Sequence, residues 1–495
     1  MELNISVLIG LAVLYILWLA GMRKVHAYFG GSRREEWPMT LTFYTFGLAA
    51  PIVLARKYSG WALLEKLKKR ASDLSLSGLF SRGGDEFQGD GEEIEIRLRR
   101  QDGSRPGSAG DTDGGMLPEV KRILQDAIRQ RATDVHFEPG DTQLNVRYRI
   151  DGVLQHRRSY SAGIAPRMIG ALKVLAGEDV AESRRAQDGS FRGNLDGRGI
   201  DFRTATTGTS TGEKMVVRIL DRKTSLRSLE RLGLRKETYR RIKNILHQTN
   251  GMLLASGPTG SGKTTTLYAA LQEVDRAAKN VTTIEDPVEY NLDDITQLAI
   301  NEEAGITFAD QLRTVLRQDP DVMMVGEVRD RETAEIAMQA AQTGHLVLST
   351  VHANDTISCI YRLFDLSVRP YLIATSVEAI LSQRLVRRLC MECREERKPT
   401  SREREQLGLR ESGDYTVYDA VGCEKCHGTG FHGRIGTFEL MAFNDRIRDL
   451  IQEEAPISRL RQEALRSGMV PLRKDALAKA LRGITTVQEA IRATG

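Results

Sequence analysis

Tryptophan and cysteine are scarce in this 495-residue chain, with three of the first and five of the second. Four of the five cysteines form two CxxC pairs, CMEC at 390–393 and CEKC at 423–426, and Cys359 is left over. That arithmetic argues against a secreted disulfide framework and for a reducing compartment with a metal site. A dominant charge is also missing. Lysine and arginine number 71 against 66 acids, a net +5. So small a surplus permits contact with acidic lipid or nucleic acid but argues for neither. No basic groove studded with aromatics can be read, and nucleic acid is not expected as a partner. Hydrophobic and charged fractions of 41% and 28% are ordinary. The length allows two or three domains with sizeable cores.

Charge is absent altogether from LNISVLIGLAVLYILWLAGM, residues 3–22. A helix of that length spans about 30 Å, roughly a bilayer core. The opening MELNIS has no basic residue and no small-residue cleavage site follows, so a retained anchor is expected rather than a signal peptide. A second uncharged run, WPMTLTFYTFGLAAPIVLA at 37–55, is weaker and reads either as a second span or as a shallow segment. Trp18, Trp37 and Trp61 lie at the edges of these runs, as interfacial aromatics do. Residues 1–60 are therefore expected to anchor the chain. Residues 61–115 read as a basic stretch (Lys66, Lys68, Lys69, Arg70) followed by a flexible linker rich in Gly, Ser and Asp.

From residue 116 the pattern becomes that of a folded domain. MLPEVKRILQDAIRQRA places Val120, Ile123, Leu124, Ala127 and Ile128 on one helical face, with Pro118 in the first turn. TDVHFEP and TQLNVRYRIDGVL alternate apolar and polar residues, as strands do. IDFRTATTGTSTGEKMVVRIL reads as two further strands around a Gly-Thr turn. The spacing predicts a small α+β subdomain over residues 116–225. Its arginines Arg147, Arg149, Arg203 and Arg218 are either solvated strand positions or, beside a nucleotide, bidentate partners for phosphate.

The stretch 226–495 carries, at 251–274, GMLLASGPTGSGKTTTLYAALQEV, an apolar run, then GxxxxGKT, then a helical pattern. That is the strand–loop–helix setting of a phosphate-binding loop. Gly257, Pro258, Thr259, Gly260, Ser261, Gly262, Lys263, Thr264 and Thr265 would form the cradle. Glycines let the backbone wrap phosphate, and the helix N-terminus favours the anion. Lys263 is placed to reach the β and γ phosphates of ATP, and Thr264 to hold Mg²⁺. Hydrolysis also needs a carboxylate to orient water or hold the metal. VTTIEDPVEY supplies Glu285, Asp286 and Glu289, and DVMMVGEVRD supplies Glu327. All follow strand-like runs, whose ends face the ligand crevice in parallel sheets. HLVLSTVHAND carries His345 and His352 at its two ends, read either as structural histidines or as γ-phosphate sensors or subunit contacts.

Taken in order, GPTGSGKTT, TIEDPVEY, RQDPDVMMVGEVRDRETAEIA and TGHLVLSTVHAND resemble the ATPases of the type II secretion and type IV pilus assembly family. ATDVHFEP, RYRIDGVL and RRAQDGSF resemble that family's smaller ATPase subdomain, so the likeness covers about 116–495. The resemblance implies a RecA-like P-loop core behind an α+β subdomain. It also implies a homo-hexamer that binds ATP between the two and turns hydrolysis into domain rotation. Glu327 takes the Walker B glutamate's place, Glu285 the Asp box glutamate's, and His345 and His352 the His box positions. Arg203 and Arg218 match arginines that the smaller subdomain presents to phosphate. Ala353 departs from the family's usual His box threonine, a mild change. Members of this length usually begin with a soluble partner-binding domain, and here the apolar run and linker stand in its place.

Each CxxC can place two thiolates on one tetrahedral metal. Cys390, Cys393, Cys423 and Cys426 are thus expected to hold a structural Zn²⁺ in a module at 388–435, with His427 as a competing ligand. Assembly members of the family carry such a module. Cys359 reads as a small buried apolar residue. The combined expectation is an ATP-hydrolysing motor at the inner membrane, catalytic domains facing the cytoplasm, assembling a pilus or pseudopilus with platform proteins. The alternatives are a motor for DNA uptake or transfer, and a non-hydrolysing membrane scaffold.

Overall fold

The computed structural model describes residues 96–100, 102–104, 115–221, 227–410 and 413–495, all in the compact unit Asp90–Gly495. The runs 3–22 and 37–55 lie outside the described residues. Among the described residues no helix is long and apolar enough to cross a membrane.

The first lobe starts earlier than expected. Arg97–Arg100 forms β1, inside the stretch read as linker, because Ile96 and Leu98 bury their side chains and the strand pairs with a later one. Then come α1 (Leu117–Arg129), β2 (Ala132–Pro139), β3 (Gln143–Ile150), β4 (Val153–Ser161), α2 (Ala165–Ala176), β5 (Gln187–Leu195), β6 (Arg198–Thr209) and β7 (Gly212–Asp221). The strands make one antiparallel sheet in the order β1-β5-β6-β7-β2-β3-β4. Period-two patterning sorts its faces. On β3, Leu144, Val146, Tyr148 and Ile150 are buried in the core shared with both helices. Arg147 and Arg149 on the other face pair with Glu138 at 2.5 Å and Asp134 at 3.5 Å.

The second lobe contains α3 (Lys236–Leu246), β8 (Gly251–Ser256), α4 (Lys263–Gln272), β9 (Val281–Glu285), β10 (Thr296–Ala299), α5 (Phe308–Val315), β11 (Val322–Val325), α6 (Arg331–Gln342) and β12 (Leu346–Val351). It continues with α7 (Thr356–Asp365), α8 (Pro370–Ser376), β13 (Val377–Leu389), β14 (Arg394–Arg397), α9 (Ser401–Leu407), β15 (Val417–Ala420) and β16 (Phe431–Ala442). Four helices close the chain: α10 (Asp445–Gln452), α11 (Ile457–Arg466), α12 (Leu472–Leu481) and α13 (Val487–Thr494). The main sheet runs β10-β9-β11-β12-β8-β13-β16, parallel except for β16 against β13. Strands β8, β9, β11 and β12 are buried throughout. Their short apolar runs suit a sheet covered on both faces. One face packs on α5, α6 and α7, the other on α3 and α4. Cys359 on α7 is fully buried in the first of these cores. The four parallel strands bring their carboxyl ends to one edge, where an open α/β sheet takes its ligand.

Candidate nucleotide site and metal centre

The loop after β8 turns through Gly257 (φ +153°), Gly260 (+75°) and Gly262 (+89°). At Gly257 a Cβ would sit 2.5 Å from Ser261 Oγ and 2.7 Å from the Gln383 carbonyl, so only glycine fits. Gly262 caps α4, whose first residue is Lys263. Lys263 Nζ donates to the carbonyls of Gly257 at 2.9 Å and Pro258 at 3.3 Å. Burial holds its pKa below the usual lysine value, Glu327 opposes that, and Arg384 adds to it. Gln383, on β13, fastens the loop by donating from Nε2 to the Ser261 carbonyl at 2.8 Å.

Around Lys263 the strand ends gather charge. Glu327, just beyond β11, pairs with Arg329 and lies 3.6 Å from His352 Nε2. Arg329 also reaches Asp286, 3.5 Å away, after β9. His352 is held below the ordinary histidine pKa by burial and by Lys263, with Glu327 opposing. Glu285 is buried at the end of β9, where Tyr268, Thr283 and Gln297 donate to its carboxylate. Arg203 reaches across from the first lobe and donates to the Val288 carbonyl at 2.7 Å, with Glu289 3.7 Å away. Its partner in register on β7, Arg218, stays on the first lobe, 3.2 Å from Asp134 and largely exposed.

His345 is not brought to this cluster. It precedes β12, whose first residue Leu346 pairs with Gly251, so the whole strand separates it from His352. Its Nδ1 donates to the Ala340 carbonyl at 3.0 Å, closing the end of α6. The parallel pairing fixes this: two histidines at opposite ends of one strand face opposite edges of the sheet.

Between the lobes runs a cleft of about 550 Å³, a volume ordinary for a ligand site. Gly262, Thr265 and Thr266 line its phosphate-loop side, and Arg131, Arg227 and Arg434 its far side. Asp151 bridges the mouth by accepting from Gly433 N at 2.9 Å, with Arg131 3.4 Å away. Sequence reasoning missed Arg131, Arg227, Arg434, Gln383 and Arg384, which reach the site only through tertiary folding. Arg329 carried a local signal, a cation two residues after Glu327 in GEVRD.

The four CxxC cysteines converge between β13 and β16, with ligand atoms within 4.8 Å of one another. Sγ–Sγ separations are 3.8 Å for Cys390–Cys423 and 3.7 Å for both Cys393–Cys426 and Cys423–Cys426. Tetrahedral zinc with bonds of about 2.3 Å requires about 3.8 Å between sulfurs. Backbone N–H groups of Gly422, Cys423 and Gly430 donate to these sulfurs, which stabilises thiolate charge. The four residues fit a structural Zn²⁺.

A phosphate loop, acids at neighbouring strand ends and a cleft shared with an arginine-bearing lobe define a two-lobed P-loop ATPase. The family model described as Type II/IV secretion system protein matches residues 110–492, and the chain belongs to that family. Type II secretion system protein E of Pseudomonas aeruginosa is 42% identical over 78% of this chain and 76% of its own length. Type II secretion system protein HxcR of the same organism is 39% identical over 90% of this chain and 95% of its own. Among solved structures, the pilus retraction motor PilT with bound ADP matches 75% of this chain and 95% of its own, with 26% identity and a TM-score of 0.52. The chain is thus an ATP-hydrolysing motor of secretion or pilus biogenesis.

Proposed function

We propose that the chain works as a homo-hexamer at the inner membrane, facing the cytoplasm, and drives pseudopilus assembly in a type II secretion machine through platform proteins. The observation that carries the choice of machine is the match to protein HxcR, which extends over nearly that protein's whole length. The uncharged run at 3–22 supports a membrane anchor of the chain's own.

In this reading Lys263 and the loop amides bind the β and γ phosphates, and Thr264 holds Mg²⁺. Glu327 orients the attacking water, and Glu285 supports the same reaction from β9. Arg203 and Arg218 report phosphate occupancy to the first lobe, with His352 beside Glu327. His345, at the opposite edge and bonded to the Ala340 carbonyl, is read as structural or as a subunit contact rather than as a γ-phosphate sensor. Zn²⁺ on the four cysteines braces the turn from β13 to β16.

Light scattering of the full-length chain in detergent with Mg²⁺ and a non-hydrolysable ATP analogue tests the assembly. Six copies per particle are expected. A monomer that turns over ATP at full rate would contradict the proposal. Removing residues 1–89, which leaves β1 and both lobes intact, should release the chain from membranes, and retention without partners would count against the anchor.

A further inference from the structure

A buried and fully engaged acid of the second lobe lies behind the phosphate loop. Both oxygens of Glu285 are engaged: Oε1 accepts from Thr283 Oγ1 at 2.6 Å and Gln297 Nε2 at 3.0 Å, and Oε2 accepts from Tyr268 Oη. A buried carboxylate holding three donors is fixed in place. Glu327 differs: Arg329 and His352 face it, and it neighbours Lys263.

We propose that Tyr268 is a positioning residue for ATP hydrolysis, tying the phosphate-binding helix through Glu285 to loop 286–290, while Glu327 serves the attacking water. The proposal rests on the ATPase reading of the phosphate-loop site. Tyr268 lies on α4, five residues after Lys263, so it moves with the helix that receives the phosphates. The loop after Glu285 leads two ways. Asp286 pairs with Arg329, which pairs with Glu327. Val288 offers its carbonyl to Arg203 of the other lobe. Tyr290, in the same loop, meets the Tyr268 ring edge-on at 4.8 Å and 88°. One hydroxyl thus links the helix to the catalytic acid and to the first lobe. Burial and the Glu285 charge push the Tyr268 pKa up, which keeps the hydroxyl a donor.

Tyr268→Phe keeps the ring that fills the core and removes only the hydroxyl. Turnover by the full-length chain in detergent with Mg²⁺ is measured across ATP concentrations, beside thermal melts. The expected result is a fall in kcat of about tenfold, from loss of one hydrogen bond to a buried charge, with KM for ATP within about twofold. In a Glu285→Gln background the same change should cost nothing further. Thr283→Ala, which removes a second donor, should give the same split and serves if Tyr268→Phe does not fold. Three outcomes would overturn the proposal: wild-type kcat in the folded variants, an undiminished loss in the Glu285→Gln background, or a lower melt with unchanged kcat per folded molecule. Wild-type turnover that survives Lys263→Ala would instead overturn the ATPase reading, and the proposal with it.

Discussion

At the scale of single residues, the phosphate loop leaves almost no freedom. A methyl group on Gly257 would meet Ser261 Oγ and the Gln383 carbonyl, both nearer than side-chain carbons approach. Gly257→Ala is expected to cost about 1–3 kcal/mol of stability and to abolish ATP binding, because the loop must shift to relieve the contact. A melt and an ATP titration by calorimetry check this, and unchanged affinity would contradict the loop geometry. The motif from Gly257 to Thr265 was legible in the sequence because phosphate chemistry constrains residue types at fixed spacing. Gln383 and Arg384 were not legible. They lie on β13, more than a hundred residues later, and only the pairing of β13 with β8 brings them to the loop.

At the scale of elements, α13 and the cysteine module show two ways of securing a short segment. Glu489, near the start of α13, accepts from Arg387 N at 3.1 Å, Arg387 Nη2 at 2.8 Å and Arg492 Nη2 at 2.7 Å. Burial works against its charged form, but the Arg492 and Arg387 donors overrule burial and lower its pKa from 4.5 to about 2. A lowered folded pKa gives stability that is complete above about 4.5 and lost as pH falls toward about 2, worth about 3 kcal/mol at most. Glu489→Gln should therefore lower the melt at pH 7 and flatten its fall between those pH values. In the module, purified protein is expected to carry about one zinc per chain. Chelation or Cys426→Ser should lower the melting of the C-terminal region, because β14 and β15 form only a two-stranded sheet. Metal-free protein with an unchanged melt would remove the zinc. Strands such as β3 and β11 could be read from apolar period or run length. The edge strand β1 is passed over although Ile94, Ile96 and Leu98 alternate with charged residues in IEIRLRR, because Gly-, Ser- and Asp-rich stretches lie on both sides of it.

At the scale of the whole molecule, polar ties among the described residues join the lobes: Asp151 to Gly433 N, and Arg203 to the Val288 carbonyl and Glu289. A motor that rotates one lobe against the other must break or exchange such ties as nucleotide changes. Asp151→Ala removes a hydrogen bond to a charged group, worth about 1.5–3 kcal/mol, and should broaden the lobe-to-lobe distances seen by paired spin labels. An unchanged distribution would mean that the tie does not hold the lobes. The central claim is that the phosphate-loop site hydrolyses ATP with Lys263 binding phosphate and Glu327 serving the water. The most direct measurement is ATP turnover by the full-length chain in detergent with Mg²⁺, beside Lys263→Ala and Glu327→Gln. The account predicts wild-type turnover that falls at least about a hundredfold in both variants, with ATP binding kept in Glu327→Gln. Equal turnover in all three proteins would contradict it.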